Sequence, residues 1–336
     1  MTDLAKIPVT IVTGFLGAGK TTLIKHLLAN PGGKRLAVLV NEFGTMGVDG
    51  DILRGCADET CPEEAILELA NGCICCTVAD EFIPTMERLL ALEKTPDHIL
   101  IETSGLALPK PLLKAFDWPA IRSRVTVDGV VAMADAERVA EGQFAPEQGR
   151  NGNEHDTPLS EVFGDQMACA DLILLSKADL AGEEKLAKAR EVIAAELPRK
   201  VPMLPVTEGV IDTKILLGLA AAAEDDVAQR PSHHDGEAEH EHDDFATIVV
   251  ELPEQESAAP LLAALETLAR EQRILRVKGH VAIAGKPLRL LVQAVGARVR
   301  SQFDKPWGTA PRTSRLVVIA ERGDMNAKKI RAALGG

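Results

Sequence analysis

Between residues 7 and 223 the chain repeats one pattern, in which a short apolar run is followed by a longer stretch whose apolar positions recur every three to four residues. The runs at 7–12, 36–40, 98–101, 129–133, 172–175 and 203–206 lack strict polar alternation, which predicts strands buried on both faces. The helical spacing at 20–29, 82–92, 161–169 and 183–196 predicts the crossovers between them. Together these elements predict an α/β unit built on a doubly wound, mostly parallel sheet. Residues 141–156, "EGQFAPEQGRNGNEHD", follow neither period and read as a surface insertion.

The pattern stops at residues 224–244, "EDDVAQRPSHHDGEAEHEHDD", on which no apolar face can be drawn. This composition predicts a mobile linker. It carries His233, His234, His240 and His242, half of the eight histidines, as weak auxiliary metal ligands, because neutral imidazoles on a flexible segment chelate. Beyond it, strand-like "FATIVVELP", "ILRVKGHVAIAG" and "SRLVVIAERG" alternate with helical "APLLAALETLAREQ", "KPLRLLVQAVGARV" and "NAKKIRAAL", which predicts a small α+β domain. The expected organisation is therefore a domain over 1–223, a linker over 224–244 and a second domain over 245–336.

Charge and composition narrow the function classes. With 37 basic and 50 acidic residues the net charge is −13, and aromatic residues are only 3%. Phosphate backbones are repelled and stacking platforms are scarce, so nucleic acid and anionic membranes are not expected partners. The N-terminus lacks the build of a signal peptide, and no run approaches the ~18 apolar residues of a membrane span. The expectation is a soluble, cytoplasmic protein whose thiols stay reduced.

The first strand runs into "GFLGAGKT", residues 14–21, which fits G-x-x-x-x-G-K-[ST] in the strand, loop and helix context that the motif requires. The glycines let backbone N–H groups face a polyphosphate, Lys20 reaches its outer phosphates, and Thr21 holds Mg²⁺. Glu102, at the end of the apolar run in "HILIETSG", supplies the second acidic group for that ion, and the loop after it is suited to sensing a γ-phosphate. In "LLSKADL", Lys177 and Asp179 resemble the guanine-reading N-K-x-D pattern, with Ser176 where Asn is usual. A carboxylate at Asp179 accepts from guanine N1–H and the exocyclic amine, which favours GTP over ATP.

"ELANGCICCTVAD" places Cys73, Cys75 and Cys76 within four positions. The cluster is open to three readings: a soft thiolate metal site, a redox pair, or small core residues. Glu42, Asp49 and Asp51 are further carboxylates near a switch-like segment, the two aspartates also reading as turn residues beside glycines. Cys56 and Cys61 are candidate accessory ligands, Cys169 reads as a buried small residue, and His26, His98 and His280 read as structural. Glu42, Asp49 and Asp80 are the candidates for activating water.

Taken in order, "GFLGAGKTTL", "VNEFG", "ELANGCICCTVAD", "LIETSGLALP" and "LLSKADL" resemble the CobW-type P-loop GTPases, and the histidine-rich linker with "RVKGHV" and "RLVVIAERG" extends the resemblance over the whole chain. The segment "GCADETCPEEAILELANGCICCTVAD" is most similar to the branch of that family in aerobic cobalamin biosynthesis. The resemblance implies a SIMIBI-type P-loop fold and a slow GTPase acting as a metallochaperone. By position it implies that Gly14, Gly17, Ala18, Gly19, Lys20, Thr21 and Thr22 bind phosphates and that Thr21 and Glu102 serve Mg²⁺. It further implies that Lys177 and Asp179 meet guanine, and that Cys73, Cys75 and Cys76, with Glu42 as a possible fourth ligand, hold Co²⁺ or Zn²⁺. The implied client is a cobalt-requiring enzyme, the cobaltochelatase complex, with zinc delivery or a regulatory GTPase with structural cysteines as alternatives.

Overall fold

A computed structural model of the chain describes residues 6–41, 48–69, 81–142, 158–230, 245–271, 274–295, 298–308, 312–321 and 325–335. It divides into two compact units, Met1–Glu237 and Ala238–Gly336.

The first unit is a seven-stranded sheet of β1 (Ile7–Gly14), β2 (Leu36–Asn41), β3 (Ile66–Leu69), β4 (His98–Glu102), β5 (Val125–Asp135), β6 (Leu172–Ser176) and β7 (Met203–Pro205). Their order is β3-β2-β4-β1-β5-β6-β7, and every pairing is parallel. β2, β4 and β6 are buried at every position, as their unbroken apolar runs require. Six of the seven strands follow the apolar runs. β3 is the addition, an edge strand too short and too polar at Glu68 to stand out. β1 lies between β4 and β5, with Val12 beside Glu102 and Gly14 beside Met133. The loops leaving β1, β4 and β5 therefore diverge from one end of the sheet, the position at which such folds hold ligands.

The helices sit close to their sequence-read limits, at Lys20–Ala29, Ile83–Leu90, Pro158–Ala168 and Ala178–Glu196. The last is broken by Gly182 (φ 68°, ψ 172°), so its regular part starts at the residue where the apolar period begins. A further helix, Val48–Arg54, contains Asp49 and Asp51, which corrects their reading as turn residues.

Residues 224–230, the start of the stretch read as a linker, pack on the first unit, and residues 231–244 lie outside the described residues. The Glu224 carboxylate accepts from Val127 N (2.8 Å) and from Thr126 Oγ1 (2.7 Å). Arg230, 1% exposed, is held by Asp171 and Asp226, at 2.9 Å and 2.7 Å, and donates to the Cys169 carbonyl. Just upstream, Asp128 accepts from the N–H groups of Gly218, Leu219 and Ala220. These anchors are polar side chains aimed at particular partners, and a search for apolar periodicity does not register them.

The second unit is a five-stranded antiparallel sheet, β8 (Phe245–Leu252), β9 (Ile274–Val281), β10 (Leu288–Val295), β11 (Arg298–Pro306) and β12 (Ser314–Glu321), in the order β11-β10-β9-β12-β8. β10 and the start of β11 occupy "KPLRLLVQAVGARV", which corrects its reading as a helix: short apolar runs do not separate a strand from a buried helix by period alone. Helices Ala258–Glu271 and Ala327–Leu334 contribute Leu261, Leu265, Leu268 and Ile330 to a core with Val250, Val277, Val292 and Val318. Gly279 (φ 157°) admits β12, since a Cβ there would lie 2.1 Å from the Arg315 carbonyl oxygen.

Candidate functional site

β1 ends at Gly14, where a Cβ would stand 2.3 Å from the Met133 carbonyl oxygen, so only glycine lets the strand leave the sheet here. The loop turns through Gly17 (φ 75°) and Gly19 (φ 100°), and the helix Lys20–Ala29 starts with no side-chain cap. The first N–H groups of that helix are thus left to a ligand, and the helix dipole makes the position attractive to an anion. Lys20 is buried, and its ammonium donates to the carbonyls of Gly14 (2.7 Å) and Phe15 (3.3 Å), folded over the loop it would share with phosphates.

The Thr21 hydroxyl lies 2.8 Å from Asp49 Oδ1 and 2.8 Å from Glu102 Oε1. One hydroxyl proton can be donated to only one of these oxygens at a time, and both carboxylates are buried, at 3% and 4% exposure. Two like charges held this close out of water favour a cation, and three hard oxygen donors from a hydroxyl and two carboxylates fit Mg²⁺. Sequence reasoning paired Thr21 with Glu102. It placed Asp49 only among switch carboxylates and candidate water activators, whereas the structure puts Asp49 on Thr21.

After β4 the chain turns back across the phosphate loop. Thr103 N donates to Val12 O (2.9 Å), and the Thr103 hydroxyl donates to Thr13 Oγ1 (3.0 Å). Gly105 presses so closely on Leu16 that a Cβ would lie 2.8 Å from its backbone nitrogen.

At the other side of β1, β6 ends in Ser176, whose hydroxyl donates to Ala134 O (3.2 Å) and is thereby committed to the backbone. Lys177 takes a left-handed conformation (φ 56°), and its ammonium pairs with Asp135, the last residue of β5. Asp135 also caps the helix Ala136–Ala140 by accepting from Arg138 N (3.3 Å). Asp179, two residues on, is exposed. Asp135 escaped sequence reasoning, although its position repeats that of Glu102, an acid closing an apolar strand. A loop that was also overlooked follows β7: Gly209 (φ 72°) lies against the first helix, where a Cβ would be 2.9 Å from Leu23 N.

Cys73, Cys75, Cys76, Glu42, Asp80, His233, His234, His240 and His242 lie outside the described residues. Among the described residues no group of three or more His, Cys, Asp or Glu side chains could hold a metal ion. Cys61 is buried in the core, and burial pushes its thiol up to about 12. Cys169 is likewise buried and raised to about 12. His26 binds the Ile211 carbonyl (2.9 Å), and His98, 1% exposed, shares a 2.7 Å hydrogen bond with Thr10 Oγ1. His280 stands 3.3 Å from Asp304 within the second sheet. Among the described residues no helix is long and apolar enough to cross a membrane.

Comparison with known proteins matches the chain to a family. The model of the CobW/HypB/UreG nucleotide-binding domain matches residues 8–205, and that of the cobalamin synthesis protein cobW C-terminal domain matches residues 245–336. The chain is 48% identical over 341 residues to the zinc chaperone CobW of Sinorhizobium sp, covering 98% of this chain and 96% of that protein. It is 51% identical over 350 residues to the zinc chaperone CobW of Pseudomonas aeruginosa, covering 99% and 93% respectively. It is 34% identical over 341 residues to the zinc chaperone YjiA of Escherichia coli strain K12, covering 98% of each. The chain therefore belongs to the CobW/HypB/UreG family of P-loop GTPases, as a metallochaperone with a CobW C-terminal domain.

Proposed function

We propose that this GTPase metallochaperone works in the cytoplasm, takes up Zn²⁺ at Cys73, Cys75 and Cys76 while GTP is bound, and releases it to a client on hydrolysis. The observation that carries the reading is the meeting of Asp49 and Glu102 on the Thr21 hydroxyl. Asp49 comes from the segment between β2 and β3, and Glu102 from the end of β4. The helix bearing Asp49 is tied by Arg54 to Glu68 in β3 (2.8 Å), and the chain runs on from β3 to the cysteines within a few residues. A change at the phosphates therefore has a short covalent and ionic route to the thiolates.

In this reading Thr21, Asp49 and Glu102 hold Mg²⁺, which when bound neutralises the charge that develops on the phosphates. Lys20 exchanges its carbonyl partners for phosphate oxygens. Asp179 accepts from the guanine edge, and Lys177, steadied by Asp135, lies beside it. The committed hydroxyl of Ser176 leaves base selection to the Asp179 carboxylate. Glu42 is the proposed additional ligand, and the linker histidines act as a low-affinity reserve for the same metal. Zinc is favoured as cargo because thiolates bind it ahead of cobalt in the Irving–Williams order, and because the relatives above are zinc chaperones.

Cobalt is the second reading. It is favoured by the match of residues 245–336 to a domain described for cobalamin synthesis, and it would make a cobaltochelatase the client. Equilibrium competition between Zn²⁺ and Co²⁺ in the complex with a non-hydrolysable GTP analogue separates the two. The shared part of the proposal is tested by metal titration of the wild-type chain and of a variant with Cys73, Cys75 and Cys76 replaced by serine. One metal that is lost in the variant, and bound more tightly with the analogue than with GDP, is the expected result. Equal affinities in the two nucleotide states would end the reading.

A further inference from the structure

Gln166 is completely buried on the helix Pro158–Ala168, and sequence reasoning gave it no role. Its side-chain nitrogen donates to two carbonyls of one loop, Gly105 O at 3.2 Å and Ala107 O at 3.0 Å. Only an NH₂ group can face two carbonyl oxygens, so the orientation of this amide is fixed by its partners. The loop is the one that follows Glu102 and turns back over the phosphate loop. Its Leu106, Ala107 and Leu108 are all buried, and the Ala107 N–H is used within the loop, donating to Ser104 O (3.1 Å).

Residues 103–107 are therefore held from two sides. On one side Gly105 touches the backbone of Leu16, in the middle of the phosphate loop, with no space for a Cβ. On the other, the Gln166 amide fastens the carbonyls of Gly105 and Ala107. A peptide unit whose carbonyl is pinned has its N–H direction set as well, because the unit is planar. The same side chain carries an unused acceptor, since Gln166 Oε1 is buried without a hydrogen-bond donor. A buried acceptor without a donor is costly to the folded state.

We infer that Gln166 is a positioning residue for GTP hydrolysis: it sets the loop 103–107 against the phosphate loop, and through it the response to the γ-phosphate. The inference rests on residues 14–22 being the phosphate site. Gln166 touches no reacting atom in this scheme and acts only through Gly105 and Ala107.

The test uses the full chain and three measurements: affinity for GDP, affinity for a non-hydrolysable GTP analogue, and the steady-state rate of phosphate release. Gln166→Met keeps the volume and removes both donors. Two hydrogen bonds to a buried loop correspond to about a tenfold effect, so kcat and the analogue-to-GDP affinity ratio should each fall by about tenfold, with GDP affinity changed less than about twofold. Gln166→Glu, kept protonated by burial, retains one donor in the same shape and should fall between Gln166→Met and wild type. If Gln166→Met does not fold, the Glu variant alone carries the comparison. A purely structural role predicts parallel losses for both nucleotides, and an unchanged ratio with unchanged kcat in a folded variant would likewise overturn the inference. Failure of the wild-type chain to bind either nucleotide would overturn the phosphate-site reading together with it, and so is distinguishable from failure at Gln166 alone.

Discussion

Asp49 Oδ1 lies 2.8 Å from the Thr21 hydroxyl, although 28 residues and a strand separate the two in the chain. Glu102 meets the same hydroxyl from β4, so Asp49 brings a second negative charge to a buried oxygen cluster. Asp49→Asn retains the shape and an acceptor but removes that charge. The expected outcome is a rise of about tenfold or more in the Mg²⁺ concentration at half-maximal GTP hydrolysis, the scale seen when one oriented group around a metal is lost. Phosphate release measured across a Mg²⁺ titration checks it, and an unchanged midpoint would remove Asp49 from the cation site.

In the proposed function the cluster is coupled to the cysteine segment through Arg54 and Glu68. The Arg54 guanidinium lies 2.8 Å from Glu68 and 3.3 Å from Asp51, and its pKa is raised despite the opposing effect of burial, with the Glu68 hydrogen bond the largest favourable cause. A Cβ on Gly50 would stand 1.8 Å from Glu68 Oε1, so a side chain there displaces the Glu68 carboxylate from its place beside Arg54. Arg54→Ala and Gly50→Ala both loosen the helix Val48–Arg54 from β3, by different means. Each should bring the ratio of zinc affinities between the GTP-analogue and GDP states toward one, with GDP-state affinity held, because coupling energy belongs to the connection and not to the ligands. Isothermal titration with zinc in both states measures the ratio; a wild-type ratio in both variants would sever this route.

The sheet was legible because buried parallel strands must be written as unbroken apolar runs, and the phosphate loop was legible because its glycines are forced by backbone geometry at Gly14 and Gly19. What escaped was polar and set by distant partners. Asp49 sits in "GVDGD", where neighbouring glycines suggest a turn, yet the helix there is held by Thr21 and by the Arg54–Glu68 pair. Glu224 and Arg230 lie in a stretch with no apolar face, yet their partners on β5 and at Asp171 fix them. Asp135 and Gln166 gave no spacing signal because each acts on a residue far along the chain, Lys177 and Gly105 respectively. Local pattern reports which residues avoid water, whereas it is silent on which buried polar groups find one another.

His98 provides a test by pH. Burial, the largest cause, lowers its pKa from about 6.5 to about 4, with Asp128 opposing, while its Nε2 shares a hydrogen bond with Thr10. The folded state therefore keeps the ring neutral where the unfolded chain binds a proton, so stability is full above pH ~6.5 and is lost as the pH falls toward ~4. Between pH 7.5 and 5 this one group should remove about 2 kcal/mol, a difference absent from His98→Gln. Chemical denaturation of both proteins at the two pH values checks it; parallel pH dependence in wild type and variant would mean that other groups set the acid limit.

Base selection separates Asp179 from the Lys177–Asp135 pair beside it. Asp179 is exposed at the start of its helix, whereas Lys177 is engaged with the buried Asp135. In the proposed reading the Asp179 carboxylate accepts from guanine N1–H and the exocyclic amino group, both donors. Xanthine presents a 2-oxo group, an acceptor that an amide can satisfy and a carboxylate cannot. Asp179→Asn should therefore weaken GTP binding and strengthen binding of xanthosine triphosphate, each by about tenfold or more, given the size of a mismatched hydrogen-bonding group in a binding site. Asp135→Asn removes the partner of Lys177 without touching the base-reading carboxylate, so it should weaken both nucleotides together and leave their ratio near wild type. Competition binding with the two triphosphates reads both variants. A reversal confined to Asp135→Asn, or its absence from Asp179→Asn, would move guanine recognition away from Asp179.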